Sequence, residues 1–247
     1  DAGEQWLNTG YIGLMKRHNY EIVNLKIEDR DAYPFRPLGI DSIQINNDIY
    51  LFVVNQAFKD QRSIEFFEFK YNRYQNNYNG ASLRFLKRIR TRNLGRIVDV
   101  AAFSTDEYML IREKSSGFFG NVGSLIFHSN RILNYWPNKL GKTSNIVSGG
   151  ERILYVANGS ELFQINVDTK SVIEKKVKSG LQVNALAVDN DELWLGSKFE
   201  GKWVISNSNN SYYSPVNEIE LLLALRPEAK LLIGQSEFGL SECDLPK

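Results

Sequence analysis

Residues Gly150–Gly159 read GERILYVANG: a polar turn, a run of mostly apolar residues, then a small or polar close. The design recurs as GEQWLNTG (Gly3–Gly10), NNDIYLFVVN (Asn46–Asn55), TDEYMLIRE (Thr105–Glu113), NDELWLGS (Asn190–Ser197) and PEAKLLIGQ (Pro227–Gln235). With Trp6, Tyr50, Tyr108, Leu154, Trp194 and Leu232 taken as equivalent, the steps are 44, 58, 46, 40 and 38 residues. A propeller blade of four antiparallel strands takes roughly 40–50 residues. The recurrence therefore predicts an all-β chain built as a six-bladed β-propeller.

Partner strands follow four of the copies: Ser63–Lys70, Glu161–Val167, Lys202–Ser206 and Phe238–Leu245, each completing a hairpin. Helical signals are confined to Asn217–Leu225 and Ser115–Gly120. No linker-like stretch divides the chain, so residues 1–247 read as one domain. The first copy begins at residue 3, so the first blade is expected to be incomplete at the N-terminus, with strands that another segment or a partner strand must supply.

Composition narrows the function. Apolar residues make up 43% and aromatics 12%, a balance that suits strands. Lys and Arg total 30 against 29 acidic residues, which gives no general attraction to nucleic acid. The longest apolar run, Ile219–Leu225, is far short of the ~18 residues that cross a bilayer, so no transmembrane segment is expected. One cysteine, Cys243, excludes an internal disulfide framework. The triplets Asn158-Gly159-Ser160 and Asn209-Asn210-Ser211 are glycosylation acceptors in a secreted protein, and the expected location is secreted or extracytoplasmic.

From Leu38 onward the order of segments resembles the paraoxonase (arylesterase) family, calcium-dependent lactonase propellers. The resemblance is carried by LGIDSIQINNDIYLFVVN (Leu38–Asn55), SIEFFEFK (Ser63–Lys70), the stretch Leu83–Leu110, NIVSGGERILYVA (Asn145–Ala157), VNALAVDNDELWLGS (Val183–Ser197) and KLLIGQSEFGLSECDL (Lys230–Leu245). It implies a hydrolase site at one end of the propeller. The matching residues depart from that site. The family's His-Pro-His-Gly-Ile stretch is here Arg36-Pro37-Leu38-Gly39-Ile40, so the catalytic histidine position is Leu38. The second histidine follows Val-Val-Asn in the family; here Val53-Val54-Asn55 is followed by Gln56. Neither Leu nor Gln is a general base near neutral pH.

The family's calcium ligands are also thinned. An Asn-Asp pair corresponds to Val98-Asp99, an Asn-Gly-Ile-Asn stretch to Thr143-Ser144-Asn145-Ile146, and an Asp-Asn pair to Asn184-Ala185. The resemblance thus leaves Asp99, Asn184, Asn145 and Thr143 as a partial calcium set. It also places Asp99 and the Ile40 carbonyl at a second, structural calcium. Cys243 matches a half-cystine whose partner is not among these residues. No cofactor is expected, with calcium the one ion the resemblance admits.

Elsewhere the side chains read modestly. His18 and His128 lie in contexts without nucleophile or metal-ligand spacing. Leu83–Arg96 carries Arg84, Lys87, Arg88, Arg90, Arg92 and Arg96 without an acid; it is either a solvated outer strand or an anionic-partner patch, with Arg88, Arg90 and Arg92 as the contacts. Tyr71–Gly80 reads as a long polar–aromatic loop, and Phe118 and Phe119 as core residues or as contacts at a channel mouth.

The expectation is a non-catalytic, paraoxonase-like propeller acting as an interaction or accessory subunit, since the loss of a general base alone typically costs ~10²–10⁴-fold in rate. The resemblance implies a protein partner, because relatives without catalysis act in membrane-channel assembly. The alternative is a calcium-dependent arylesterase or lactonase using Asp99, Asn145, Asn184 and Asp189. A third reading is a small-ligand binder at the channel mouth.

Overall fold

The computed structural model describes residues 10–15, 22–58, 61–72, 77–91, 94–112, 125–129, 132–135, 145–149, 152–159, 161–177, 181–189, 192–200, 202–206, 211–213, 221–225, 230–235 and 239–244. Among them every regular element is a strand. No helix among them is long and apolar enough to cross a membrane.

The described strands form six successive sheets. The first pairs β1 (Gly13–Met15) with β2 (Ile22–Asn24). The second has five strands, in the spatial order β3 (Lys26–Glu28), β7 (Asn77–Arg90), β6 (Gln61–Asn72), β5 (Asp48–Phe58), β4 (Pro37–Ile45). The third runs β8 (Ile97–Ala102), β9 (Glu107–Arg112), β10 (Leu125–Ser129), β11 (Ile132–Tyr135). The fourth runs β12 (Asn145–Ser148), β13 (Ile153–Asn158), β14 (Glu161–Asn166), β15 (Ser171–Val177). The fifth runs β16 (Leu181–Asp189), β17 (Glu192–Phe199), β18 (Lys202–Ser206), β19 (Ser211–Tyr213). The sixth has β20 (Leu221–Leu225), β21 (Lys230–Gln235) and β22 (Gly239–Asp244).

Five of the recurrent stretches are the second strands of their sheets: β5, β9, β13, β17 and β21. The first copy, apart from Gly10, lies outside the described residues. The expected partner strands are β6, β14, β18 and β22. Two expectations need correction. Leu221–Leu225 is strand β20, not part of a helix; its run LLLAL lacks helical periodicity and pairs with β21. The polar stretch Tyr71–Gly80 is no long loop: its ends belong to β6 and β7, and Asn72 pairs with Asn77. The helical expectation at Ser115–Gly120 lies outside the described residues.

The residues form two compact units, one of 1–120 and 126–134, the other of 121–125 and 135–247. In the first, both faces of β5 and β6 are covered: β5 reads as a near-continuous apolar run, whereas β6 intersperses buried Arg62, Ser63, Glu65 and Glu68 among its apolar residues. Phe52, Val54, Ile64 and Phe66 point to one side, against Ile97, Val100, Tyr108, Leu110 and Ile126. Leu51, Val53, Phe67 and Phe69 point to the other, with Ile12, Leu25, Phe35 and Leu83. Alternation in a strand sends neighbours to opposite faces, so two cores favour apolar residues at successive positions. Phe52, Phe66 and Tyr108 meet ring to ring at 4.8–5.7 Å, geometry that adds to area burial. In the second unit, Ala157, Leu162, Val183 and Leu195 join the fourth and fifth sheets.

Candidate functional site

The site positions fall near the starts of the first strands. Leu38 is the second residue of β4, and Asp99 the third of β8. In the other unit Asn145 opens β12 and Asn184 is the fourth residue of β16. Three of these four strands are irregular there. Pro37 pairs with Asn55 and Gly39 with Val54, which leaves Leu38 as an extra residue. Ile97 pairs with Arg112 and Asp99 with Ile111, which leaves Val98. Val183 pairs with Ser197 and Ala185 with Gly196, which leaves Asn184. A bulge re-aims the side chain it carries and bends its strand, and such bulges concentrate beside functional sites.

In the first unit the structure brings the two histidine positions together. Gln56 follows Asn55, which is paired with Pro37, so Leu38 and Gln56 lie on adjacent strands at one end of the sheet. The Gln56 N–H donates to the Arg36 carbonyl at 2.9 Å. Leu38 and Ile40 are 43% and 49% exposed, so this end of β4 presents apolar side chains to solvent. Asp99 sits directly against Gly39: a Cβ there would lie 2.5 Å from Asp99 Oδ1 and 2.9 Å from the Val98 carbonyl oxygen. Glycine is what permits this approach. Asp99 Oδ1 accepts the Val100 N–H at 2.9 Å.

A neighbouring acid, Asp41, ties β4 to β8. Its Oδ2 accepts the Ala102 N–H at 2.7 Å and its Oδ1 accepts the Ser42 N–H at 2.8 Å. Burial pushes its carboxyl up to about 6, against the pull of these two hydrogen bonds. Sequence reading gave no sign of this residue's role, because it depends on a contact 61 residues away.

The other face of the same sheet holds a charge network that sequence reading also missed. Glu65, fully buried, accepts from Arg30 Nε at 2.7 Å, from Arg88 Nε at 3.0 Å and from Asn55 Nδ2 at 2.7 Å. Arg88 also forks onto Asp31 at 2.7 and 2.8 Å. Its hydrogen bonds to Asp31 first, then those to Glu65, hold the guanidinium pKa above its ordinary value despite burial. The same fork holds Asp31 below the usual carboxylate range. Arg84 of β7 and Lys70 of β6 both bind Glu68 of β6. Burial opposes the charged form of Glu68, but these two bonds outweigh it and lower its pKa.

The basic run is therefore largely matched by acids distant in sequence. Arg88 is committed inside the molecule, Lys87 lies 3.6 Å from Asp106, and Arg90 is exposed at the end of β7 opposite Ser63. Arg92, Thr143, Phe118 and Phe119 lie outside the described residues, as do His18 and the side chains of Asn184 and Asp189. His128 stacks on Tyr108 at 4.4 Å, and its Nδ1 lies 3.1 Å from the Asp106 carbonyl. Burial, with the Asp106 charge adding to it, raises the Tyr108 hydroxyl pKa.

The sequence profile of the arylesterase family matches residues 8–235. The chain belongs to the arylesterase family. The match runs through both units, and no curated protein matches the chain in sequence. Among solved structures the chain is similar to the extracellular domain of BT4673 from B. thetaiotaomicron, at 10% identity and a TM-score of 0.54, covering 92% of this chain and 36% of that one. It is also similar to the WD40 β-propeller domain of Doa1, at 8% identity and a TM-score of 0.54, covering 81% and 60%. A further structure of the BT4673 domain gives 11% identity and the same TM-score, covering 94% and 31%. The chain thus spans 31–60% of the length of these structures. Such identities speak for the fold alone, and the fold is an all-β propeller.

Against the arylesterase pattern, the described donors do not make a calcium cage. Calcium takes six to eight oxygens, several of them carboxylate. Among the described residues no three His, Cys, Asp or Glu side chains converge. Asp99 supplies one carboxylate, with Oδ1 already engaged, and the extra residue beside it, Val98, carries no side-chain oxygen.

Proposed function

We propose that this arylesterase-family chain is a non-catalytic propeller, secreted or extracytoplasmic, that serves as an interaction or accessory subunit. The observation that carries the proposal is the Leu38–Gln56 pair. A bulge and the cross-strand register set these positions on adjacent strands at one end of the sheet, and neither side chain can take a proton. Exposed Leu38 and Ile40 give the same end of β4 an apolar surface suited to a protein partner. The extracellular setting of BT4673 supports the location. A partner strand completing the first blade belongs to the same proposal, as does the view that residues 1–247 act as one domain.

The test is site-specific photocrosslinking in an extract of the native source. A crosslinker placed at Leu38 is expected to give one discrete adduct, and one at exposed Arg84 none. Adducts that are equal at the two positions, or absent from both, contradict the interaction face.

A second reading, a calcium-dependent arylesterase or lactonase, draws on two observations. Asp99 retains its carboxylate beside Gly39, and Asn184 sits on a bulge near the start of β16. Calorimetric calcium titration of chelator-stripped protein separates the two. Tight binding abolished by Asp99→Asn supports the hydrolase; absence of heat in folded protein leaves that reading without its electrophile.

A further inference from the structure

Residues 29–36 connect β3 to β4 without joining any strand ladder. A segment of that kind is held only by what its own groups reach. Here those contacts converge on one buried carboxylate. Arg30 spans the segment: its guanidinium donates to Glu65 at 2.7 and 3.1 Å, to the Tyr33 carbonyl at 2.5 Å and to the Pro34 carbonyl at 3.2 Å. Asn55 binds Glu65 and uses its remaining amide groups on the same segment, donating to the Pro34 carbonyl at 2.9 Å and accepting the Arg36 N–H at 2.6 Å. Arg88 reaches Glu65 from β7, clasps Asp31 with its fork and lies 4.1 Å from the centre of the Tyr33 ring. The Phe35 ring lies beneath Arg30 at 4.7 Å and meets Phe67 edge-on.

Two backbone bonds lead from this segment to its surroundings. The Gly10 N–H donates to the Phe35 carbonyl at 2.6 Å, and the Gln56 N–H to the Arg36 carbonyl at 2.9 Å. Leu38 begins two residues past Arg36, on its bulge.

We propose that residues 29–36 form a latched strap, closed by Glu65, whose release frees Leu38 and Gln56 together. Exposure along the latch is graded: the Asp31 side chain is 61% exposed, Arg88 11%, Glu65 not at all. The outer clasp therefore faces water while the carboxylate that organises the rest is sealed. Loss of the inner carboxylate leaves two guanidinium groups without their buried counter-charge, whereas loss of the outer one leaves Arg88 still paired. Opening is therefore local and directional: the clasp loosens first, and the strap lifts when Glu65 is disengaged. The purpose of such a strap rests on the interaction face proposed above, since it would control how Leu38 is offered to a partner. The motion itself does not depend on that face.

Hydrogen exchange on the isolated full chain tests it. The amides of Gly10, Arg36 and Gln56 report the strap; those of Phe52 and Phe66 report the sheet beneath it, and those of Val156 and Leu195 the second unit. In Glu65→Gln the three strap amides are expected to exchange faster by at least about tenfold and by a common factor, with the four controls unchanged. Arg88→Lys keeps a charge for Glu65 but loses the fork, and is expected to give a smaller rise at the same three amides; it decides the matter should Glu65→Gln not fold. Unchanged strap amides in the folded variants overturn the proposal. So does a rise shared equally with Phe52 and Phe66, because that is global unfolding around a structural ion pair.

Discussion

The two faces of the second sheet treat charge in opposite ways. On the strap face a fully buried Glu65 is kept and given two arginines and an amide. At the paired ends of β4 and β5, the positions proposed above as a vacated proton-transfer pair, the side chains are the uncharged Leu38 and Gln56. A buried carboxylate is costly unless every lone pair is met. It persists here where it ties a ladder-free segment to the sheet, while the bulged end of β4 carries Leu38, which holds no charge.

Breaking the strap face should have the largest effect. Glu65→Ala leaves Arg30 and Arg88 without their shared partner and is expected to cost about 3–5 kcal/mol in urea unfolding. Near-normal stability would mean the network contributes little.

Next comes Asp41, between the two faces in character: a carboxylate kept at the β4–β8 contact with only backbone donors. Its folded carboxyl titrates near 6 against an ordinary value of 3.8. A raised pKa means the protonated form is the stabilised one. The stability it contributes is complete below pH ~3.8 and is lost as pH rises through ~6, an effect of order 1–3 kcal/mol. The unaltered chain is expected to lose stability between pH 4 and 7, and Asp41→Asn to flatten that fall; parallel profiles would remove Asp41 as its source. The comparison is of slopes, since the amide also surrenders one acceptor to the Ser42 or Ala102 N–H.

Gly39→Ala probes the vacated end. The new Cβ would meet backbone atoms of Val98 and Asp99 inside 3.0 Å, so β4 and β8 must part, at an expected cost of about 1–3 kcal/mol. An unchanged midpoint in chemical denaturation would mean that this contact is slack. The smallest effect belongs to the outer clasp. Asp31→Ala should cost only about 0.2–1 kcal/mol and less in high salt, because Asp31 is exposed. A loss as large as that of Glu65→Ala would erase the graded latch.

Much of the fold was legible. The turn–apolar–small recurrence located five second strands, and the alternating partners located four third strands, Lys202–Ser206 to the residue and the others to within two residues at either end. Polar strand ends misled at Tyr71–Gly80, where Asn and Tyr resemble loop composition yet continue a long hairpin. Strand β3 was missed because three residues, Lys26–Glu28, carry no periodicity and pair in parallel with β7. At the site, the family resemblance alone singled out Leu38, Gln56 and Asp99, and the bulges at Leu38 and beside Asp99 leave no local mark in the sequence. The Glu65 network was invisible for a different reason: Arg30 and Glu65 are 35 residues apart and Asp31 and Arg88 57, so no window along the chain contains them together. The basic run around Arg88 looked unpaired because its acids lie elsewhere in the chain, Glu65 and Glu68 on β6, Asp31 before β4 and Asp106 in the turn before β9.

The central claim is that a retained arylesterase scaffold here lacks a proton-transfer pair. Hydrolysis of phenyl acetate and of a panel of lactones, measured on the full chain with saturating calcium across neutral pH, tests it most directly. The account predicts rates equal to the uncatalysed background at every calcium concentration. Turnover that requires calcium and disappears in Asp99→Asn would contradict it.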